Sequence, residues 1–188
     1  MEILFIVLAV LVPAVIYVIH LYNNLVHSRQ FAEEGWSGID VQLKRRADLI
    51  PNLVNTLRGY AAHERDTLDA VVTARNHALR VSGGDVAGRA AAEGALGQAL
   101  GRLFALAESY PDLKASENFL GLQTALETLE GEIQMARRYY NGAARELNIR
   151  IESVPSSFVA AHFGFTKKGY FEIADAGDRV LPEVSFRA

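Results

Sequence analysis

The stretch from Phe119 to Leu147, FLGLQTALETLEGEIQMARRYYNGAAREL, decides the fold class. Its apolar residues fall at Phe119, Leu122, Leu126, Leu129, Ile133, Ala136, Tyr140, Ala143 and Leu147. The steps alternate between three and four, which puts one side chain per turn on a single helix face. Sustained over this length, the pattern has the quality of a coiled-coil seam. A long helix with one apolar face needs neighbouring helices to cover it.

Working upstream, Trp36, Ile39, Leu43, Ala47, Ile50, Leu53/Val54, Leu57, Ala61, Leu68 and Val71 form a second stripe. Gly35 and Gly38 weaken this helix without ending it. The reading is one helix reaching to about Val81. Pro51 bends it near Ala47 to Ile50, because proline lacks the amide and its ring crowds the preceding turn. Ser82-Gly83-Gly84-Asp85 ends the helix as a turn, with Asp85 as the next N-cap. A further helix runs from about Val86 to Ser109 on Leu96, Leu100, Leu103, Leu106/Ala107 and Tyr110. Its first half is rich in Ala and Gly, which suits close packing or fraying. Tyr110-Pro111-Asp112 stops it. Downstream of the opening stretch, Pro155 ends the long helix. Ser156 or Ser157 caps a short last helix through His162, with Gly164 as a left-handed stop. Short connections make antiparallel neighbours. The expected fold is therefore all-α: a single N-terminal transmembrane helix continuing into an antiparallel bundle of three long helices plus a short C-terminal helix.

The transmembrane reading rests on Ile3 to Ser28, which contains no Asp, Glu, Lys or Arg, and on the almost wholly aliphatic Ile3 to Ile19. A helix needs about 20 apolar residues to cross a hydrocarbon core of about 30 Å. Tyr17 and Tyr22 suit an aromatic belt, and Pro13 is tolerated in a membrane helix. A cleaved signal peptide fits less well, since there is no basic n-region and no small-x-small cleavage pattern. Three segments follow: 1–27 as a signal anchor, 28–172 as a helical bundle, and 173–188 as an irregular tail. The Lys/Arg bias, Arg29 and then Lys44-Arg45-Arg46 against an N-terminal flank with neither, places the body in the cytoplasm and the N-terminus outside. The basic triplet reads as a solvated helix face or a lipid-headgroup contact.

With a net charge of −3, nothing argues for a nucleic-acid partner. The chain has no cysteine, which suits a reducing compartment without demanding it. Polar residues on or beside the apolar stripes are Asp40, Arg46, Glu64, Arg75, Glu130, Arg137 and Asn141. Buried charges are costly unless paired. These residues are candidates for a structural polar core, with Arg137 or Arg75 pairing with Glu64 or Glu130; a site inside the bundle is the alternative. The aromatics Phe158, Phe163, Phe165, Tyr170 and Phe171 either plug the bundle end or contact lipid or a partner.

At these residues the chain resembles a known family. The block Trp36-Ser-Gly-Ile-Asp40-Val-Gln-Leu-Lys-Arg-Arg-Ala-Asp48-Leu-Ile-Pro51-Asn-Leu-Val54, followed by Gly59-Tyr60-Ala-Ala-His63-Glu64, looks like the core motif of the LemA family. Glu108-Ser-Tyr-Pro111-Asp-Leu-Lys114-Ala, Asn118-Phe119, Leu122-Gln123, Ala136-Arg137-Arg138-Tyr139-Tyr140-Asn141, Pro155-Ser156, Phe163-Gly164-Phe165 and Tyr170-Phe171-Glu172 continue the likeness. The Gly/Ala-rich segment Gly83 to Gly101 and the doubled Tyr139-Tyr140 are mild departures. The resemblance implies one N-terminal span, a cytoplasmic antiparallel bundle, and no established catalytic activity or cofactor. It also implies an association with membrane proteases or with membrane organisation, one branch belonging to magnetosome-forming bacteria.

The residues speak against an enzyme. His63-Glu64 would need a second His at position 67 for a zinc-protease helix, and Thr67 stands there. On one helix, His63 and His77 would lie about 21 Å apart, too far to share a metal. There is no cysteine nucleophile, no nucleophile elbow and no phosphate loop. The expectation is a non-enzymatic, cofactor-free scaffold or adaptor. Its partners are membrane lipid, further copies of itself, and membrane proteases or other membrane proteins. A membrane-remodelling oligomer is the alternative; a bundle enzyme or ligand-binding protein with a buried polar site is the second.

Overall fold

The structure is a computed structural model that describes residues 1–61, 63–81 and 83–172. Ser82 of the expected turn, Ala62 of the quoted motif and the expected irregular tail 173–188 lie outside the described residues. The described residues hold six helices and no strand: α1 Glu2–Arg58, α2 Arg65–Arg80, α3 Val86–Ala107, α4 Pro111–Lys114, α5 Glu117–Glu152 and α6 Ser156–His162.

The first helix departs from expectation. It stops at Arg58, and a turn through Gly59 and Tyr60 separates it from α2. Glycine is a poor helix residue because it has the most backbone freedom to lose. The chain still satisfies its amides there: Tyr60 and Ala61 both donate to the Leu57 carbonyl, and Glu64 donates to Ala61. The apolar stripe hid the break because Leu57, Ala61 and Leu68 are buried on both sides of it. Pro51 does not end α1, which continues for another two turns to Arg58.

Two smaller differences concern caps. The Asp85 carboxylate accepts from the Gly88 amide at 2.8 Å, an N-cap as expected. Ser156 caps no helix start; Pro155 occupies that position, and the Ser156 hydroxyl points backwards to the Arg150 and Ser153 carbonyls. It thereby closes the end of α5. Gly164 has φ +70°, the left-handed stop. The one-turn α4 was not expected.

The fold divides into two compact units. One comprises Met1–Gln42 and Gly131–Tyr170. Within it α1 and α5 run antiparallel: Leu25 packs with Ile151, and ten residues further along α1 Gly35 packs against Tyr140. A Cβ on Gly35 would stand 3.0 Å from the Tyr140 Cα and 3.1 Å from the Tyr139 ring, so a side chain here would have to push its neighbours back by a few tenths of an ångström. Trp36 packs against Tyr140 with the rings tilted by 60° and their centroids 5.5 Å apart. Beyond α6 the chain returns along α5: the Tyr140 hydroxyl donates to the Gly169 carbonyl at 2.8 Å. The Asn148 amide exchanges two bonds with the Lys168 backbone, each 2.9 Å.

The other unit comprises Leu43–Glu130 together with Phe171 and Glu172. Its core is Ile50, Leu53, Leu57, Val71, Leu96, Leu103 and Leu113, all fully buried. Burial of each such side chain contributes about 1.5–3 kcal/mol.

The start of α1 belongs to neither pattern. Ile3, Phe5, Val10 and Ile16 are 79%, 67%, 68% and 61% exposed, while Leu25 on the same helix is 0% exposed. Among the described residues, α1 is the one helix long and apolar enough to cross a membrane.

Candidate functional site

A cluster of buried charges lies in the unit formed around Leu43–Glu130. Arg46 enters it on the same α1 face as Leu43, Ala47 and Ile50, and it is 3% exposed. One guanidinium nitrogen, Nη2, donates to Glu93 Oε2 of α3 at 2.6 Å. The other, Nη1, donates to Glu130 Oε2 of α5 at 2.7 Å. Arg89, one turn before Glu93, brings its Nε to 3.1 Å from Glu93 Oε1. Its Nη1 donates to the Ala78 carbonyl at 3.0 Å, in the last turn of α2. The last carbonyls of a helix have no partner inside it, and a cation there also meets the negative end of the helix dipole. Two arginines and two glutamates thus tie together α1, α2, α3 and α5 with no net charge.

Burial separates the two acids. The Glu93 side chain is 2% exposed and that of Glu130 43%. Glu93 is therefore the acid that cannot be hydrated, and its neutralisation by Arg46 and Arg89 is obligatory. Of the basic triplet, Lys44 and Arg45 are exposed as expected, whereas Arg46 is not a solvated face.

Arg75 answers a different need. Its Nε donates to the Ala47 carbonyl at 2.7 Å. Ala47 is four residues before Pro51 and 2% exposed. In an uninterrupted helix that carbonyl accepts from the amide of residue 51, which proline does not have. Arg75 of α2 supplies the missing donor, so the defect in α1 becomes a fastening point for α2. Nearby, the Tyr110 hydroxyl donates to Glu64 Oε1 at 3.3 Å. Burial and the adjacent Glu64 carboxylate raise the Tyr110 phenol above its ordinary value.

The other expected polar residues sit elsewhere. Asp40 is exposed. Arg137 is half-buried and donates to Gln134 at 3.1 Å on its own helix, and Asn141 is half-buried. Glu130 takes Arg46 as a partner. Glu93 and Arg89 were not anticipated, because they lie in the Ala/Gly-rich half of α3. A signal was nonetheless present: stepping back from Leu100 and Leu96 by three and four reaches Glu93 and Arg89.

The aromatic set divides. Phe171 is fully buried, and Phe165 packs against the small core of Leu25, Val159 and Ala160. Phe158, Phe163 and Tyr170 are 69%, 52% and 43% exposed. Chemically, the buried charges are engaged with one another. Among the described residues, no three His, Asp or Glu side chains are grouped so as to hold a metal ion. The concavity lined by Arg58, Arg65, Leu68 and Asp69 is open to solvent and holds no nucleophile beside a base.

Magnetosome protein MamQ 2 of Paramagnetospirillum magneticum is 29% identical over 181 residues, covering 84% of this chain and 66% of that protein. Magnetosome protein MamQ of Magnetospirillum gryphiswaldense is 26% identical over 189 residues, covering 87% and 70%. Protein LemA of Metamycoplasma hominis is 26% identical over 175 residues, covering 91% and 78%. The chain thus spans 66% of the length of the Paramagnetospirillum relative. The LemA family model matches residues 35–186, a range that takes in Arg46, Pro51, Arg75, Arg89, Glu93 and Glu130. On that match the chain belongs to the LemA family.

Proposed function

We propose that this LemA-family protein is a non-enzymatic, membrane-anchored scaffold. The start of α1 holds it in the bacterial inner membrane with the N-terminus outside. The helical bundle faces the cytoplasm, where it meets other copies or membrane-protein partners. One observation carries this reading: the apolar run from Ile3 to Ile19 is exposed along its length, while the apolar faces of the later helices have cores to fill. Exposed apolar surface costs about 25 cal/mol per Å² in water, and a bilayer removes that cost. The buried charges support the non-enzymatic side, since Arg46, Glu93 and Arg89 are spent on one another.

Single cysteines test the arrangement, because the chain has none of its own. Glu2→Cys should react with a membrane-impermeant maleimide on intact spheroplasts, and Asn118→Cys only after lysis. The reverse labelling would overturn the orientation, and release of the protein by alkaline carbonate would overturn the anchor. Light scattering of the full chain in nanodiscs then reads the scaffold claim. Defined multimers support it, a monomer in the presence of its co-purifying partner supports an adaptor, and tubulated vesicles would replace it with membrane remodelling.

A further inference from the structure

The tip formed by the end of α5 and by α6 carries exposed apolar side chains at a telling height. Val154, Phe158 and Phe163 are 75%, 69% and 52% exposed, and all three lie within ten residues. A single exposed apolar residue is ordinary on a soluble surface; three so close together ask for a cover.

Their height along α1 is given by contacts within one unit. Twenty residues of helix span about 30 Å, so a crossing that starts at Ile3 ends at Tyr22. The Tyr22 ring packs on Phe163 at 4.7 Å and on Phe165 at 5.8 Å. Leu25 is 0% exposed and packs with Val159 and Ala160 of α6. It lies three residues, or about 4.5 Å, beyond Tyr22. The headgroup layer on each side of a bilayer is about 5–7 Å deep. The inner face of α6, Val159 and Ala160, is therefore bound to α1 at headgroup depth, and Phe158 is on the face that remains. Arg29 sits at the same end with its guanidinium 5.3 Å from the Phe165 ring centroid. A cation among aromatics is the composition that interfacial segments use.

We propose that Val154, Phe158 and Phe163 form a second membrane contact, a foot that seats in the lipid headgroup layer of the leaflet from which α1 emerges. The inference rests on reading the start of α1 as an anchor. Two contacts with one leaflet would hold the α5–α6 tip at a fixed depth. A helix crossing alone leaves its cytoplasmic end free to tilt.

The test uses the full chain in phosphatidylethanolamine–phosphatidylglycerol nanodiscs, spin-labelled at one introduced cysteine at a time. Val154→Cys and Phe158→Cys replace exposed residues and leave the Tyr22–Phe163 contact untouched; Val10→Cys reports the anchor and Asn118→Cys reports water. Labels at 154 and 158 should lose broadening by a water-soluble nickel chelate while keeping broadening by oxygen, as lipid-exposed labels do. Chelate broadening equal to that at 118, with Val10→Cys still in lipid, would overturn the foot and leave the anchor standing. Labels at 154 and 158 shielded from both agents would also overturn it, in favour of a protein occupant. A chelate-accessible Val10→Cys would overturn the anchor itself.

Discussion

The two units of this protein solve the same problem, holding helices in register, with a different balance of chemistry. Around Leu43–Glu130 the register is written in charge: Arg46, Arg89, Glu93 and Glu130 meet inside a leucine-rich core. In the unit of Met1–Gln42 and Gly131–Tyr170 it rests largely on shape and neutral hydrogen bonds, with ion pairs such as Lys168–Glu33 and Lys167–Glu152 more exposed than Glu93. There Gly35 admits Tyr140, Trp36 packs against it at a tilt, and Asn148 and Tyr140 hold the returning chain. A charge network is unforgiving of the loss of one member, because the others are left desolvated. Aromatic packing and neutral hydrogen bonds fail in smaller steps.

The comparison breaks first, if it breaks, at Glu93. Glu93→Ala removes the buried acid from both Arg46 and Arg89, and should destabilise the full chain by about 3–5 kcal/mol in chemical denaturation. Glu130→Ala should cost much less, since its side chain is 43% exposed and water replaces the lost partner. Equal effects of the two changes would show that burial does not govern the network. A triple replacement of Arg46, Arg89 and Glu93 by methionine should recover most of the loss, because packed apolar groups stand in for a buried ion cluster at little cost.

Next in size is the junction at Pro51. Arg75→Met leaves the Ala47 carbonyl buried without its donor, a penalty of about 1–3 kcal/mol. In a Pro51→Ala background the amide of residue 51 returns, and the same Arg75→Met change should cost distinctly less. A double-mutant cycle measures that coupling. Simple additivity would mean that the Arg75 bond to Ala47 is incidental to the proline.

The unit of Trp36 and Tyr140 offers the matching experiment. Asn148→Ala deletes two hydrogen bonds to the Lys168 backbone, each worth about 1 kcal/mol. Amide exchange should accelerate at Lys168, while the amides of α2 and α3 stay protected. A global loss as large as that of Glu93→Ala would erase the distinction between the two regions.

How much of this was legible beforehand follows the same division. The three-four stripe on α5 was readable because Leu126, Leu129, Ile133, Tyr140 and Leu147 are buried as their spacing requires. Arg46 was visible because it interrupts an apolar face. Glu93 and Arg89 were not, because alanines and glycines around them give no contrast against which a charge stands out. Arg75 was singled out, but as half of an ion pair. Its actual task depends on Ala47 and Pro51 of another helix, and no local pattern contains that relation. The stop at Arg58 was missed because periodicity reports burial, and a turn whose flanks are both buried keeps the period.

The smallest effect is the one that pH reads. Burial raises the Tyr140 phenol above its ordinary value of 10.0, because ionised oxygen is poorly solvated there. Burial, and secondly the Glu64 carboxylate, raise Tyr110 in the other unit. Unfolded tyrosine releases its proton near pH 10, whereas the folded groups still hold theirs. Between those two values the unfolded chain binds fewer protons, so stability falls as pH rises. Below pH 10 both forms are protonated and the contribution is constant. The alkaline slope should shrink in Tyr140→Phe, which also gives up the bond to Gly169, and separately in Tyr110→Phe. Glu64→Gln should reduce only the Tyr110 part, since no carboxylate contributes to the shift of Tyr140. If Glu64→Gln flattened the whole alkaline limb, charge and not burial would govern both tyrosines, and the contrast between the surroundings of Tyr140 and Tyr110 would fall.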